Sequence, residues 1–319
     1  MTSVAVIGCG YWGKNLVRKF HELGVLAAIS DPSPEVQERL KEQYDVEHRD
    51  VDAIMADDSI DAIAVAVPAE LHHDITIRAF EAGKHVFVEK PIALTIEHAQ
   101  EMIEASQAAN RTLMVGHLLQ YHPVFLKLKE MVKAGDFGKL RYVYSRRLNI
   151  GKLRTHENVL WSFAPHDISM ILALIGTEPD RTIGFAGNFL QETISDFASV
   201  QMEFPGGEKA HVDVSWLNPF KEQRLVIAGE KCMAEFNDQE DWGDKLKIYR
   251  HKAEIVNGEP VLEPAKAESV HVEPKEPLLN ECAHFLHFIE TGEKPYTDGN
   301  EALSVLRVLR AGDVAVEQG

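Results

Sequence analysis

The sequence predicts two domains: an α/β domain on a parallel sheet, then an α+β domain with a large, mostly antiparallel open sheet. Three observations carry this. Short apolar runs alternate with helical patterns up to residue 121. A glycine triplet stands where the first run meets the first helix. Beyond residue 121 the chain turns to short strands joined by tight turns. The expected domains are 1–121 and 122–319, ordinary sizes for a chain of 319 residues.

In the first part, residues 3–7, 26–30, 62–67, 85–88 and 112–115 read as strands. They are almost continuously apolar, as in a sheet covered on both faces. Residues 15–23 carry Leu16, Val17, Phe20 and Leu23 at helical spacing. Residues 34–43 are amphipathic, and residues 70–82 set Leu71, Ile75, Ala79 and Ala82 on one face. Residues 95–109 open with Thr95 as N-cap and Glu97 in the first turn, where an anion suits the helix dipole. Strands spaced by such helices imply a parallel sheet with right-handed crossovers.

In the second part, strands are expected at 140–149, 181–189, 197–204, 209–215, 223–228, 232–237, 245–249 and 268–272. Pro205-Gly206-Gly207 and Gly229-Glu230 mark hairpin turns. Helices are expected at 123–133, 165–175, 278–291 and 299–317.

Composition narrows the function. There are 33 Lys plus Arg against 50 Asp plus Glu, a formal charge of −17. Such a chain lacks the basic surface that sequence-blind nucleic-acid binding needs, and it does not suit anionic membranes. No apolar run approaches the roughly 18 residues of a membrane span. The N-terminus enters Val4-Ala5-Val6-Ile7 with no basic n-region, so a cytoplasmic protein is expected. Cys9, Cys232 and Cys282 are too few and too scattered for a disulfide framework or a CxxC metal site. His72-His73, and His284 with His287, lack the clustered ligands of a zinc site, so no metal is expected.

Gly8-Cys9-Gly10-Tyr11-Trp12-Gly13 is a GxGxxG between a strand and a helix, the context that motif requires. Gly8 permits the turn, Gly10 the approach of a pyrophosphate, and Gly13 close helix–strand packing. The pyrophosphate would lie on the helix N-terminus, where amide donors are unpaired. Asp31, about 20 residues on at the end of the second strand, can accept both ribose hydroxyls of NAD. It would repel the 2′-phosphate of NADP, and Pro32-Ser33-Pro34 supplies no cation beside it. NAD is therefore the expected cofactor, on a Rossmann domain. Lys90, in Glu89-Lys90-Pro91, follows a strand, and open α/β sheets bind ligands beyond the carboxyl ends of their strands.

These motifs, with Val67-Pro68-Ala69-Glu70-Leu71-His72 and a β-rich second domain, resemble the Gfo/Idh/MocA oxidoreductase family along essentially the whole chain. The resemblance implies that Tyr11, Trp12, Pro68, His72, Glu89, Lys90 and Gln120 help to bind the dinucleotide. It implies that Lys90 contacts the reacting hydroxyl, with His166 as acid/base. The family commonly has Asp four residues before this histidine. Here Ser162 stands there and supplies no charge, which leaves Asp167 as a candidate helper. A histidine is suited to take the hydroxyl proton as hydride leaves, and a lysine ammonium to steady the developing alkoxide.

Residues 139–156 hold Lys139, Arg141, Arg146, Arg147, Lys152 and Arg154 with no carboxylate. This local inversion of charge suits an anionic substrate, Arg being apt for phosphate. The alternative is pairing with acidic neighbours or another subunit. Residues 116–123, Arg146-Arg147-Leu148-Asn149 and Leu160-Trp161 with Pro165-His166-Asp167 resemble the branch acting on nucleotide sugars. That implies oxidation of the C3 hydroxyl of UDP-N-acetylglucosamine to a ketone, which a PLP aminotransferase then aminates. His117, Arg147, Asn149, Arg154 and Trp161 would then join Lys90 and His166 as substrate contacts. His117, Gln120 and His122 could equally be packing residues.

Alternatives are UDP-N-acetylglucosaminuronate, a free polyol such as inositol, glycoside cleavage through transient oxidation, and a non-catalytic dinucleotide-binding regulator. A broad open sheet leaves one face over, and the resemblance implies homodimers or homotetramers through it.

Overall fold

The computed structural model describes residues 2–151 and 153–317, with side chains as far as Asp313. Lys152, one cation of the basic segment, lies outside the described residues. The chain divides into two compact units, the first holding the residues up to Tyr121 together with Glu276–Leu306.

The first unit opens β1 (Val4–Ile7), α1 (Gly13–Glu22), β2 (Leu26–Ser30), α2 (Pro34–Tyr44), β3 (Glu47–His48) and α3 (Val51–Met55). β4 (Ala62–Val65), α4 (His72–Glu81), β5 (His85–Val88), α5 (Ile96–Ala109) and β6 (Leu113–Val115) follow. The six strands run parallel in the order β3-β2-β1-β4-β5-β6. This is the doubly wound Rossmann arrangement, with its order reversing between β1 and β4. Thr95 caps α5 as expected, its side chain accepting from the amide of His98. The short β3 and α3 escaped the sequence reading because two and five residues carry too little periodicity to register.

The second unit begins with α6 (Pro123–Lys133), β7 (Leu140–Ile150) and α7 (Val159–Ile175). β8 (Arg181–Gly187), β9 (Phe197–Glu203), β10 (Lys209–Ser215), β11 (Leu217–Gly229) and β12 (Met233–Asn237) continue it. β13 (Leu246–Tyr249), β14 (Lys252–Val256), β15 (Glu259–Glu263) and β16 (Glu268–Ser269) complete its strands. The main sheet has eight strands in the order β16-β13-β12-β11-β7-β10-β9-β8. It is antiparallel except that β10 lies parallel to β7. One face is covered by α7, which packs on β7, β9 and β10.

Three expectations need correction. The helix expected at 165–175 starts at Val159, with Pro165 inside it and Asn158 as N-cap. Proline favours a first turn, which drew the predicted start too late. The hairpin β14–β15 was missed because every residue in it is exposed, leaving no hydrophobic alternation. Its turn residues Asn257 and Gly258 both take positive φ, and that dipeptide is a strong hairpin signal. Finally, the second domain was expected to hold residues 122–319. Instead α8 (Pro277–Thr291) belongs to the first unit, and α9 (Gly299–Glu317) starts there before its residues from Arg307 join the second.

The reason lies in the apolar face of α8. Leu278, Cys282, Phe285 and Phe288 enter the same core cluster as Val4, Phe20 and Phe87. Phe285 meets Phe20 and Phe87 edge to face, at 6.4 and 5.8 Å between ring centroids. Removing such a ring leaves a cavity as well as losing burial. Phe285→Ala should therefore cost about 3–5 kcal/mol in urea unfolding. A loss under about 1 kcal/mol would mean that α8 is not part of this core.

Candidate functional site

In the first unit, the carboxyl ends of β1, β4 and β5 carry the candidate residues. Gly8, at the end of β1, has φ +85°, and a Cβ there would sit 2.7 Å from the Ala66 carbonyl. A Cβ on Gly13 would lie 1.8 Å from the Gly8 oxygen. Both glycines are therefore required by the fold itself. Gly10 differs: a Cβ there meets nothing within 4 Å. Its bareness serves whatever approaches from outside, as a cradle for a pyrophosphate would require. No side chain caps α1 at Trp12, so the helix start offers backbone donors to an anion.

Asp31 follows β2 and is 9% exposed. One carboxylate oxygen accepts from the Cys9 amide at 2.7 Å and the other from the Ser33 amide at 2.9 Å. A carboxylate offers about four acceptor positions, so two remain for a pair of ribose hydroxyls. The residues fit an adenosine ribose beside a pyrophosphate. Burial, and then Asp31, push the neighbouring Cys9 thiol up to about 12, which leaves it unreactive.

Glu89 and Lys90 follow β5. Glu89 is buried; its carboxylate accepts from the Trp12 indole N–H and, at 3.3 Å, from the Lys90 amide. A Cβ on Gly116 would come within 2.8 Å of that carboxylate, so a larger residue there would displace the Glu89 side chain. Burial raises Glu89 to about 7, against the lowering effect of Trp12 and Lys90. Glu281 on α8 is also buried and raised well above the ordinary range, by burial and then by repulsion from Glu89. Sequence reasoning passed over Glu281, although an acid within the apolar stripe Leu278, Cys282, Phe285 is a readable signal. Lys90 itself is half-buried.

His72 sits 1% exposed between two loops, one ring nitrogen 2.8 Å from the Pro91 carbonyl and the other 3.0 Å from that of Val67. It lies between the loops after β4 and β5, its neutral ring donating to one of these carbonyls, and so helps to position both. Pro68 lies in the first of these loops. His117 is 2% exposed, with Nδ1 2.7 Å from a Glu301 oxygen, and Gln120 is 1% exposed. His284, met edge-on by Tyr121 and Phe288, is a packing residue.

In the second unit, Ser145 and Arg147 share the face of β7 that meets α7. There Asp167, 1% exposed, takes Arg147 as a two-point partner at 2.7 and 3.2 Å and Ser145 as a third donor. Tyr144 and Arg146 occupy the opposite face, with Arg146 3.4 Å from Asp213. Asp167 is thus committed to β7. His166, beside it, is half-exposed and stands in the second turn of α7, one turn after Ser162.

Other residues of this unit pair with protein neighbours. The Trp161 indole N–H donates to Asp313, and Trp161 is 8% exposed. Arg154 pairs with Glu157 at 3.4 Å and Arg141 with Glu230 at 4.0 Å, while Lys139 donates to the Gly206 carbonyl. The basic segment is therefore largely neutralised by its own neighbours. Asn149, by contrast, keeps a buried Oδ1 with no hydrogen-bond partner among the described residues. His122 caps α6 and stacks between Phe236 and Trp242, as a packing residue would.

A Rossmann sheet with a glycine cradle, a ribose-facing carboxylate and a strand-end lysine defines an NAD(P)-dependent oxidoreductase. Residues 2–117 match the NAD-binding Rossmann domain of the Gfo/Idh/MocA oxidoreductases, and residues 125–235 match that family's C-terminal domain. The chain belongs to this family.

Among its relatives, UDP-N-acetylglucosamine 3-dehydrogenase of Acidithiobacillus ferrooxidans is 28% identical over 98% of this chain and 96% of its own. The solved structure of that enzyme matches with a TM-score of 0.88 at 26% identity, over 99% of this chain and 97% of the other. Inositol 2-dehydrogenase of Rhizobium meliloti is 26% identical over 95% and 94%. 2,7-Anhydro-N-acetylneuraminate hydratase of Escherichia coli is 25% identical over 76% and 69%. No helix among the described residues is long and apolar enough to cross a membrane.

Two outcomes follow. Charged hydrogen bonds contribute about 1.5–3 kcal/mol each, so wild type should bind NADH more tightly than NADPH in fluorescence titration. Asp31→Asn should narrow that preference by tenfold or more; an unchanged ratio would contradict the role of Asp31.

Glu89 holds its proton more tightly folded, at about 7, than unfolded, near the ordinary carboxyl value of 4.5. The stability linked to that proton is present below about 4.5 and is lost as pH rises through about 7. Glu89→Gln, measured by urea unfolding at pH 5 and pH 8, should show a smaller loss across that window than wild type. An identical loss would contradict the buried, protonated carboxyl.

Proposed function

We propose that the protein oxidises the C3 hydroxyl of a UDP-sugar, UDP-N-acetylglucosamine, to the 3-keto sugar. The oxidation rests on Lys90, held at the end of β5 by the Glu89 carboxylate that also carries Trp12 of the glycine loop. The choice of a sugar nucleotide is supported by likeness to the 3-dehydrogenase along nearly the full length of both chains.

NAD, which Gly8, Gly10, Gly13 and Asp31 would hold, would supply the hydride acceptor when bound. Lys90 donates a hydrogen bond to the reacting oxygen and steadies its developing negative charge. His166 takes the hydroxyl proton. Ser162 provides no charge to sharpen this histidine, and Asp167 spends its own on Arg147. Arg147 is accordingly a positioning residue: it ties α7, and with it His166, to β7. The orphaned Asn149 Oδ1 is left to accept from a sugar hydroxyl or amide. Arg154, half exposed beside Glu157, is the remaining candidate for a phosphate. The ketone product is of the kind a PLP aminotransferase consumes.

A specific observation favours a second reading. Because the arginines of residues 139–156 are paired, this segment no longer demands an anionic substrate, and a polyol such as inositol gains weight.

The test is NADH absorbance with NAD and UDP-N-acetylglucosamine in the presence of a ketone trap, with UDP-N-acetylglucosaminuronate and myo-inositol in parallel. NADH with the first alone is expected. Signal only with the uronate or only with inositol would overturn the substrate, and silence with measurable NAD binding would favour a regulator. Lys90→Ala and His166→Ala should each lower kcat/KM by about 10²–10⁴-fold. Retention of activity within a few-fold would remove that residue from the chemistry.

A further inference from the structure

The outer surface of the first unit carries a second constellation that dinucleotide chemistry does not use. α4 starts with two histidines of opposite fate. His72 turns inward to clamp the loops after β4 and β5, while His73 turns outward with its side chain 18% exposed. α5 packs beside α4 and presents His98 and Glu101, three apart and therefore on one face. The His73 and His98 rings stack at 4.1 Å between centroids, and His73 Nε2 lies 2.7 Å from a Glu101 oxygen. One ligand atom from each of the three residues falls within 4.8 Å of the others.

The outer contact supplies an orienting carboxylate. His73 Nδ1 lies 3.0 Å from an Asp74 oxygen. With its proton on Nδ1 and held by Asp74, the imidazole would present the Nε2 lone pair to a cation shared with Glu101 and His98, the orientation common among metal-binding histidines.

We propose that His73, His98 and Glu101 form a surface site for a divalent transition-metal ion, zinc above all, which bridges α4 and α5. Two imidazole nitrogens and one carboxylate oxygen are a donor set suited to Zn²⁺, and they leave a fourth position to solvent. Tetrahedral zinc with ligand bonds of about 2.0–2.1 Å needs donors roughly 3.4 Å apart, so the side chains close in by small rotations that their exposure permits. Hard cations such as Mg²⁺ prefer oxygen ligands and fit poorly. Sequence reading expected no metal here because it weighed His73 only with its neighbour His72. The true partners lie on the next helix.

The test uses the purified full-length chain and Zn²⁺ itself, by competition with a chromophoric chelator and by thermal unfolding. One tight zinc per chain is expected, weakened at least tenfold in His73→Ala and in His98→Gln, with zinc raising the midpoint of wild type only. Mg²⁺ should produce neither effect. Because the three side chains are at the surface, both variants should unfold like wild type without metal. Zinc affinity unchanged in both variants, or no zinc binding by wild type beyond that of the two variants, would overturn the site.

Discussion

The hydrogen bond from the Trp12 indole to the buried Glu89 carboxylate is the constraint on which the candidate site of the first unit depends. It joins two loops that come from different strands, one shaped by Gly8 and Gly13 for a dinucleotide and the other carrying Lys90. Glu89 occupies that place at a cost, since its burial is severe enough to lift it to about 7. A buried carboxyl is tolerated where every donor around it is used, and here Trp12 and the Lys90 amide supply them. His72 makes a parallel clamp, engaging the Val67 and Pro91 carbonyls. The backbone of the lysine is thus held in place between these two clamps.

The second unit solves a similar problem with opposite charges. Arg147 and Asp167 neutralise each other between β7 and α7 at 14% and 1% side-chain exposure. A buried pair with two-point geometry and an added Ser145 hydroxyl fixes orientation more than it adds stability. Its effect is to set α7 on the sheet, and so to fix where His166 stands. The same pairing explains why a run of cations in an acidic chain need not be a substrate-binding surface.

Much of this was legible in the sequence, and the reasons are local. β1, the glycine turn and α1 could be read because a strand, a tight turn and an amphipathic helix each leave a periodic signature. Asp31 could be read because the Rossmann connection fixes its distance from Gly8. What escaped was what tertiary contacts decide. Nothing near Trp12 announces Glu89, and nothing near Trp161 announces Asp313, which takes its indole N–H. Ligand contacts for His72 and His117 came only from the family resemblance, and the sequence could not show that both would be buried beside protein partners, Val67 and Pro91 for one and Glu301 for the other. The return of α8 to the first unit was hidden because its apolar stripe shows that it packs but not against what.

The link between the glycine loop and the lysine strand can be tested by a double-mutant cycle on NADH affinity, using Trp12→Phe and Glu89→Gln singly and together. If the two side chains act through one hydrogen bond, the double variant should lose little more affinity than either single one, a coupling of about 0.5–3 kcal/mol. Losses that simply add would contradict the link.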